Sequence, residues 1–454
     1  MESRGPMVRA PKMSMLKKLF WVYFLLLIFE GALRKWVLPQ LSGPLLVVRD
    51  PIGLLIIWEA YRTQKWPREW SAVIGVLSAL MLALGLLQLV IADNQWFIAL
   101  YGLRSYLLPF PVALIMGSNL DEEDLRKFGN WTILLLLPLT ALEIAQYAAP
   151  TTSFLNVGAY QGSEQLTYAL GHIRASATFS YVVGPMSYIP LALAFILYGM
   201  ANSKFAKKWL LSAGAGAVVL SIPIIGSRTL VFLLASIIAC LGLAAFFGVS
   251  QFVKSLQMIA ALLVVSALVA RLPIFADATD TLLERFSQAS TAEGSTEDSI
   301  ILRVIHPVVG TIEESIGKSN WLGVGLGHGA NAVSTLLTGT QGFTTGEEEF
   351  PRVINEFGLP AGLAYMMFRL LLGVMIIAKA LSRAREHQPL AWLMVPLMFW
   401  TLVFGVFEQP TEQGFMVMSV AFSLAALRLM PVPAESVEAV NRPLRQRIQG
   451  LRAR

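Results

Sequence analysis

Arg228 sits in Gly226-Ser227-Arg228-Thr229, a break between two long apolar runs. A glycine and a serine allow a tight turn there, and the helix that follows offers free backbone N–H groups and the positive end of its dipole. Such a spot suits an anion. Arg174 also precedes a helical run, and Arg303 and Arg352 flank a long polar stretch. Arginine pairs phosphate oxygens bidentately. Four arginines at the ends of different helices could therefore converge on one phosphate-rich group, or each could pair separately with a lipid headgroup or a carboxylate.

The acidic candidates are of two kinds. Glu347, Glu348 and Glu349 are consecutive. Like charges this close raise at least one pKa, and a carboxylate raised in that way can act as a general base. Read without chemistry, the same run is a solvated charge cluster marking a membrane edge. Glu408 and Glu412 close a short hairpin and could pair with an arginine, while the adjacent Arg49 and Asp50 read as a structural ion pair. The run Gly323-Val324-Gly325-Leu326-Gly327 follows no strand of a βαβ unit and lacks a Gly-Lys-Ser/Thr ending, which excludes a nucleotide loop. It reads as a turn that lets backbone approach a ligand or a helix. Four scattered histidines and the lone Cys240, inside an apolar run, offer neither a zinc site nor a disulfide. No metal and no cofactor is expected.

The elements that must position these residues are membrane helices. The 454-residue chain is 56% hydrophobic and 14% charged, with mean hydropathy +0.63. A soluble chain carries about 25% charged residues, so a single-core soluble enzyme, a disordered protein and a disulfide scaffold are excluded. Roughly 20 apolar residues span a bilayer. The hydrophobic runs predict an all-α, polytopic bundle of about twelve spans, near 19–33, 43–60, 71–92, 96–117, 130–148, 176–200, 209–226, 228–248, 252–273, 351–379, 390–408 and 413–430. No internal repeat is visible. The basic N-terminal stretch is followed by an apolar run without a small-residue cleavage site, so the first span is expected to stay uncleaved.

Most of the 35 Lys and Arg fall in alternate loops and the C-terminal tail. By the positive-inside bias this puts both termini in the cytoplasm, and it explains the +6 net charge without nucleic acid as a partner. The predicted organisation is spans 1–9 in residues 1–272, a large helical outer loop at 273–350, spans 10–12 in 351–430, and a basic cytoplasmic tail at 431–454. Within the loop, Ile301, Val304, Ile305, Val308 and Ile312 recur at helical spacing, with a kink expected at Pro307. That helix would lie at the membrane–water interface or pack on the bundle. His172, His306 and His328 fall on the outer side with the arginines, and His387 on the cytoplasmic side.

Taken in order, several segments resemble the O-antigen ligase and O-antigen polymerase family of bacterial envelopes. They are Arg174-Ala175-Ser176-Ala177-Thr178-Phe179, the turn at Arg228, Glu284-Arg285-Phe286, Ser299-Ile300-Ile301-Leu302-Arg303, the glycine run after Trp321, and Arg352 through Glu356-Phe357-Gly358-Leu359 to Gly362. The resemblance covers roughly residues 170–365 by motif and the whole chain by topology. It implies a metal-independent, inverting glycosyltransferase of the bacterial inner membrane. The donor would be a glycan on a polyprenyl pyrophosphate at the periplasmic face. The acceptor would be a hydroxyl on another lipid-linked repeat unit (a polymerase, for O-antigen or exopolysaccharide) or, with finished glycan as the group transferred, on a lipid or protein acceptor (a ligase).

Arg174, Arg228 and Arg352 would then hold pyrophosphate, Arg303 would orient donor or acceptor, and His328 and Glu408 would contact substrate. The family's His-Asn pair is replaced here by Glu347-Glu348, so the base is expected to be Glu347 or Glu348, with His328 and His306 as alternatives. A flippase and chain-length or export proteins are the implied partners, beside the bilayer itself. A transporter for the lipid-linked sugar is the reading from another class, and it requires charges continuing through the membrane.

Overall fold

The computed structural model describes residues 13–92, 94–159, 173–246, 275–284, 306–317, 320–330 and 348–429. Every regular element named among them is a helix. Among the described residues, seven helical stretches are long and apolar enough to cross a membrane: Pro39–Arg62, Arg68–Ile91, Trp96–Asn119, Glu122–Ala148, Val183–Ala201, Lys208–Ile225 and Leu359–Arg385. Arg228–Ala244 and Leu390–Phe404 are shorter apolar helices. The chain is a helical membrane protein.

Its main helices are α1 (Met15–Ala32), α2 (Arg49–Arg62), α3 (Ser71–Ile91), α4 (Trp96–Tyr106), α5 (Pro109–Asn119), α6 (Glu122–Ala148), α7 (Val183–Ala201), α8 (Lys208–Ile225) and α9 (Arg228–Phe246). They continue with α10 (His306–Gly317), α11 (Glu349–Phe357), α12 (Leu359–Arg385), α13 (Leu390–Phe399) and α14 (Pro410–Ala426). Helices α6, α7, α8, α13 and α14 form the close-packed centre, with Phe128, Phe195 and Phe422 buried among them.

One end of the bundle is closed by polar capping. Asp121 accepts from Asp124 N (2.9 Å) and Asp124 accepts from Asp121 N (3.1 Å), a reciprocal cap for α6 that satisfies two end groups at once. Lys17 bridges the same pair at 2.6 and 2.5 Å. Arg428 donates to the carbonyls of Gly117 (2.7 Å) and Leu120 (2.6 Å), and Arg383 donates to Leu427 O (2.7 Å), so carbonyls at helix ends gain donors. The opposite end, which carries the hairpin of Glu408, holds most of the buried charge among the described residues.

Four expectations change or fall outside the described residues. The span expected at 351–379 is two helices, because Gly358 at φ +81 breaks the chain between α11 and α12. The helix expected from 176 begins at Val183, since Ser176–Val182 turns over the end of α1 first, with Ala177 at φ +47. Arg49 and Asp50 do not pair with each other: Arg49 Nε faces Glu30 at 3.4 Å, and Asp50 pairs with Arg104. Successive residues on a helix point about 100° apart, which is why neighbours in sequence find different partners. The expected span 252–273, the tail 431–454, most of the loop 273–350, and with them Arg303 and Glu347, lie outside the described residues. Of the loop's amphipathic segment, His306–Gly317 is helical.

Candidate functional site

Helix α11 supplies the centre of the site. Glu349, Arg352 and Glu356 recur at i, i+3 and i+7, which places them on one face, and all three are buried with Val353. Arg352 Nη1 lies 3.4 Å from Glu408 Oε2, so the expected arginine partner of Glu408 is found. Arg369, on α12, pairs with Glu349 and donates to Leu402 O (2.6 Å) and Gly405 O (2.8 Å). Those carbonyls sit in and just after the π-helical turn Trp400–Phe404, where the widened winding frees backbone acceptors. The Arg369 guanidinium also stacks 3.8 Å from the Phe407 ring centroid.

The glycine run is the second part. Glu356 accepts N–H groups from Gly327 (2.6 Å) and Gly329 (2.8 Å), while its own backbone carbonyl accepts from Gln88 Nε2 (2.7 Å). Gln88, buried on α3, also donates to Leu322 O (2.7 Å) and accepts from Leu326 N (2.9 Å). One amide thus holds the loop at two points and ties it to α11. The glycines are needed for closeness rather than flexibility. Gly327 lies at φ +91, and a Cβ there would meet Ile98 O at 2.3 Å. The run therefore lets backbone approach helices, as its sequence suggested. His328 is half-buried in this loop, with its N–H donating to Gly325 O at 3.3 Å. Burial lowers its pKa, opposed by a backbone hydrogen bond at Gly325.

Burial and the neighbouring Glu356 charge raise Glu408 well above the carboxylate range, against the pull of Arg352. Glu356 is itself pushed up to about 7, burial outweighing its two backbone N–H donors and Arg352. Of the two, Glu408 is the carboxyl driven further toward its neutral form. Glu356 keeps the ionised share because the loop N–H groups point at it. Glu348 is the exposed residue preceding α11, and its carbonyl accepts from Arg352 N at 3.3 Å. Glu349, expected in a solvated run, is buried against Arg369.

A second polar cluster surrounds the segment that contains Arg174. Lys35 Nζ donates to Ser176 Oγ (2.5 Å) and Ala177 O (3.3 Å), and Gln146 accepts from Ser176 N (3.2 Å) and Ala177 N (2.8 Å). Arg34 donates to Glu30 (3.2 Å) and Ser180 Oγ (2.9 Å), and Arg49 donates to Pro410 O. Arg34, Lys35, Arg49 and Glu30 are all buried. Burial, then the Arg34 charge, lowers Lys35 to about 7. Arg34 and Lys35 lie in a π-helical turn, Leu33–Val37.

The structure thus joins Arg352, Glu408, Glu348 and the His328 loop around one short helix. Arg174 and Arg228 stand on separate connections, both half-buried. The turn at Arg228 forms as read: Gly226 is left-handed at φ +57, and Ser227 Oγ accepts from Leu230 N at 3.4 Å. Glu356, Gln88, Lys35 and Gln146 went unrecognised as polar anchors, although a lone Gln or Lys near the end of an apolar run signals an internal partner. Among the described residues no group of three His, Cys, Asp or Glu is arranged to hold a metal ion. No family model matches the chain, and no curated protein matches it.

Proposed function

We propose that this chain polymerises polyprenyl-pyrophosphate-linked oligosaccharide repeats at the periplasmic face of a bacterial inner membrane, within the twelve-span arrangement that has both termini cytoplasmic. The observation that carries this reading is the buried Arg352–Glu408–Glu356 cluster, clasped by the glycine loop at one end of a membrane helix bundle. Breaking the anomeric C–O bond loads charge onto the leaving pyrophosphate, and fixed cations aimed there stabilise the transition state. Arg352, Arg174 and Arg228 supply such cations, with Arg303 orienting donor or acceptor. Glu348, exposed one turn before Arg352, or Glu347 takes the proton from the acceptor hydroxyl. His328 and Glu408 shape the substrate side.

The buried charges also support a one-sided site over a transport path. Arg369 and Arg104 lie within spans, yet their partners, Glu349 and Asp50, belong to the Glu408 end. The test is direct. Purified protein in lipid, given a polyprenyl-pyrophosphate-linked oligosaccharide and a metal chelator, is expected to release carrier pyrophosphate and grow a glycan ladder. Arg228→Ala and Glu348→Gln variants that express normally and still make full-length polymer would overturn the reading. Polymer that forms elsewhere and accumulates on its carrier when this chain is lost would mark a ligase instead.

A further inference from the structure

Between α3 and α12 lies a groove of about 520 Å³, lined by Val76, Leu80, Leu84, Phe357, Ala364 and Tyr365 among other apolar residues. Its one hydroxyl, on Tyr365, is turned away and donates to Tyr106 O at 2.9 Å. The groove exists because α3 stands off the bundle. Only 28% of the most apolar stretch of Arg68–Ile91 is buried, against 83% for Val183–Ala201, and Val76 and Leu80 are 61% and 63% exposed. Protein interiors are close-packed, so an open gap between two apolar helices calls for an apolar filler. From Ala72 to Leu84 the wall rises about 18 Å at 1.5 Å per residue, more than half the apolar thickness of a bilayer.

We propose that this groove seats the hydrocarbon tail of the lipid-linked donor. Its upper end points to that occupant over bulk lipid. There the walls are Leu84 and Phe357, one turn from Gln88 and one residue from Glu356, the two side chains that hold the glycine loop on α11. A chain lying in the groove delivers its head to the level of α11, where Arg352 and Glu348 stand. The volume falls within the range of pockets that enclose a ligand, about 300–1,000 Å³. The inference rests on the donor reading above and adds to it the route by which the carrier is held.

The test compares two probes on the full chain in phosphatidylcholine nanodiscs: undecaprenyl pyrophosphate, with a long tail, and geranyl pyrophosphate, with a short one. Ala364→Trp and Val76→Trp fill the groove from opposite walls, both from exposed positions. Each is expected to weaken the long probe about tenfold or more, equal to roughly two methylenes left unburied, and to leave the short probe unchanged. Wild-type affinity for the long probe in both variants would show bulk lipid in the groove and overturn the proposal. So would an equal loss for both probes, since that effect is not on the tail. Either variant alone suffices if the other does not fold. Groove-dependent binding without glycan transfer would sink the enzymatic reading and keep this one; transfer indifferent to both tryptophans would do the reverse.

Discussion

Around Arg352 the buried carboxyls of Glu349, Glu356, Glu408 and Glu412 outnumber Arg352 and Arg369, whereas around Lys35 the cations Arg34, Lys35 and Arg49 face the carboxylate of Glu30. Both clusters are buried at the same end of the bundle, and among the described residues each has one sign of ionisable side chain in excess. They relieve it by different chemistry. The acidic cluster shifts Glu356 and Glu408 toward their neutral forms and draws N–H donors from the glycine loop to Glu356. The cationic cluster leans on uncharged oxygens of Ser176, Ser180, Ala177 and Pro410, and Lys35 holds its proton loosely. The first arrangement fixes a loop in place. The second keeps positive charge that a phosphate-bearing group would neutralise in the proposed reaction.

If this contrast is right, removing a cation has opposite consequences in the two places. Arg369→Met strips the cation that pairs with Glu349 in the buried cluster, a loss of about 3–5 kcal/mol. Thermal unfolding in nanodiscs should show it as a large drop in Tm, mostly recovered by adding Glu349→Gln. An unchanged Tm would mean the acidic cluster is not held by charge. Arg352→Gln should spare the fold better, because Glu408 already favours its neutral form. It should instead lower glycan transfer about 10²–10³-fold, the usual cost of losing one transition-state donor. Wild-type turnover would remove Arg352 from the chemistry. Gly327→Ala forces a side chain into a left-handed backbone against Ile98 O, a strain of about 1–3 kcal/mol. Hydrogen exchange should then rise across 320–330 while the helices keep their protection; protection unchanged in the loop would mean that the close approach at Gly327 is not what secures it.

How far these features were legible in the sequence follows from how local they are. Hydropathy located helices at most expected spans, because burial in lipid acts on each run separately. The turn before Arg228 was legible because Gly226 and Ser227 encode it within four residues. The pairing of Glu408 with an arginine was legible only as a type of partner, since Arg352 comes from another helix. Gln88 was illegible: its two carbonyl partners lie 234 and 268 residues away, on Leu322 and Glu356. The break at Gly358 falls in a segment expected as one span, although Gly358 followed by Pro360 marks it locally, and part of its reason is tertiary. A Cβ there would meet Trp321 O at 2.3 Å, a contact that no local pattern announces.

The smallest effect is the most specific test of the contrast, because the two clusters should tilt stability in opposite directions with pH. Glu356 is raised in the folded state from about 4.5 to about 7, so folding binds more protons than unfolding between those values. Its contribution is complete below the unfolded pKa and is lost as pH rises through 7. Lys35 is lowered from 10.5 to about 7, so here the unfolded chain binds the extra proton. Its contribution is present above 10.5 and is lost as pH falls through 7. Together they predict a Tm that falls from pH 4.5 to 7 and recovers toward pH 10. Glu356→Gln, which keeps an oxygen for the loop N–H groups, should make the acidic limb shallower, with Glu408 and Glu412 supplying the rest of it, and leave the basic limb alone; Lys35→Met should flatten the basic limb alone. A wild-type profile without a minimum near neutrality, or one limb that responds to both substitutions, would show that the clusters are not separate charge systems.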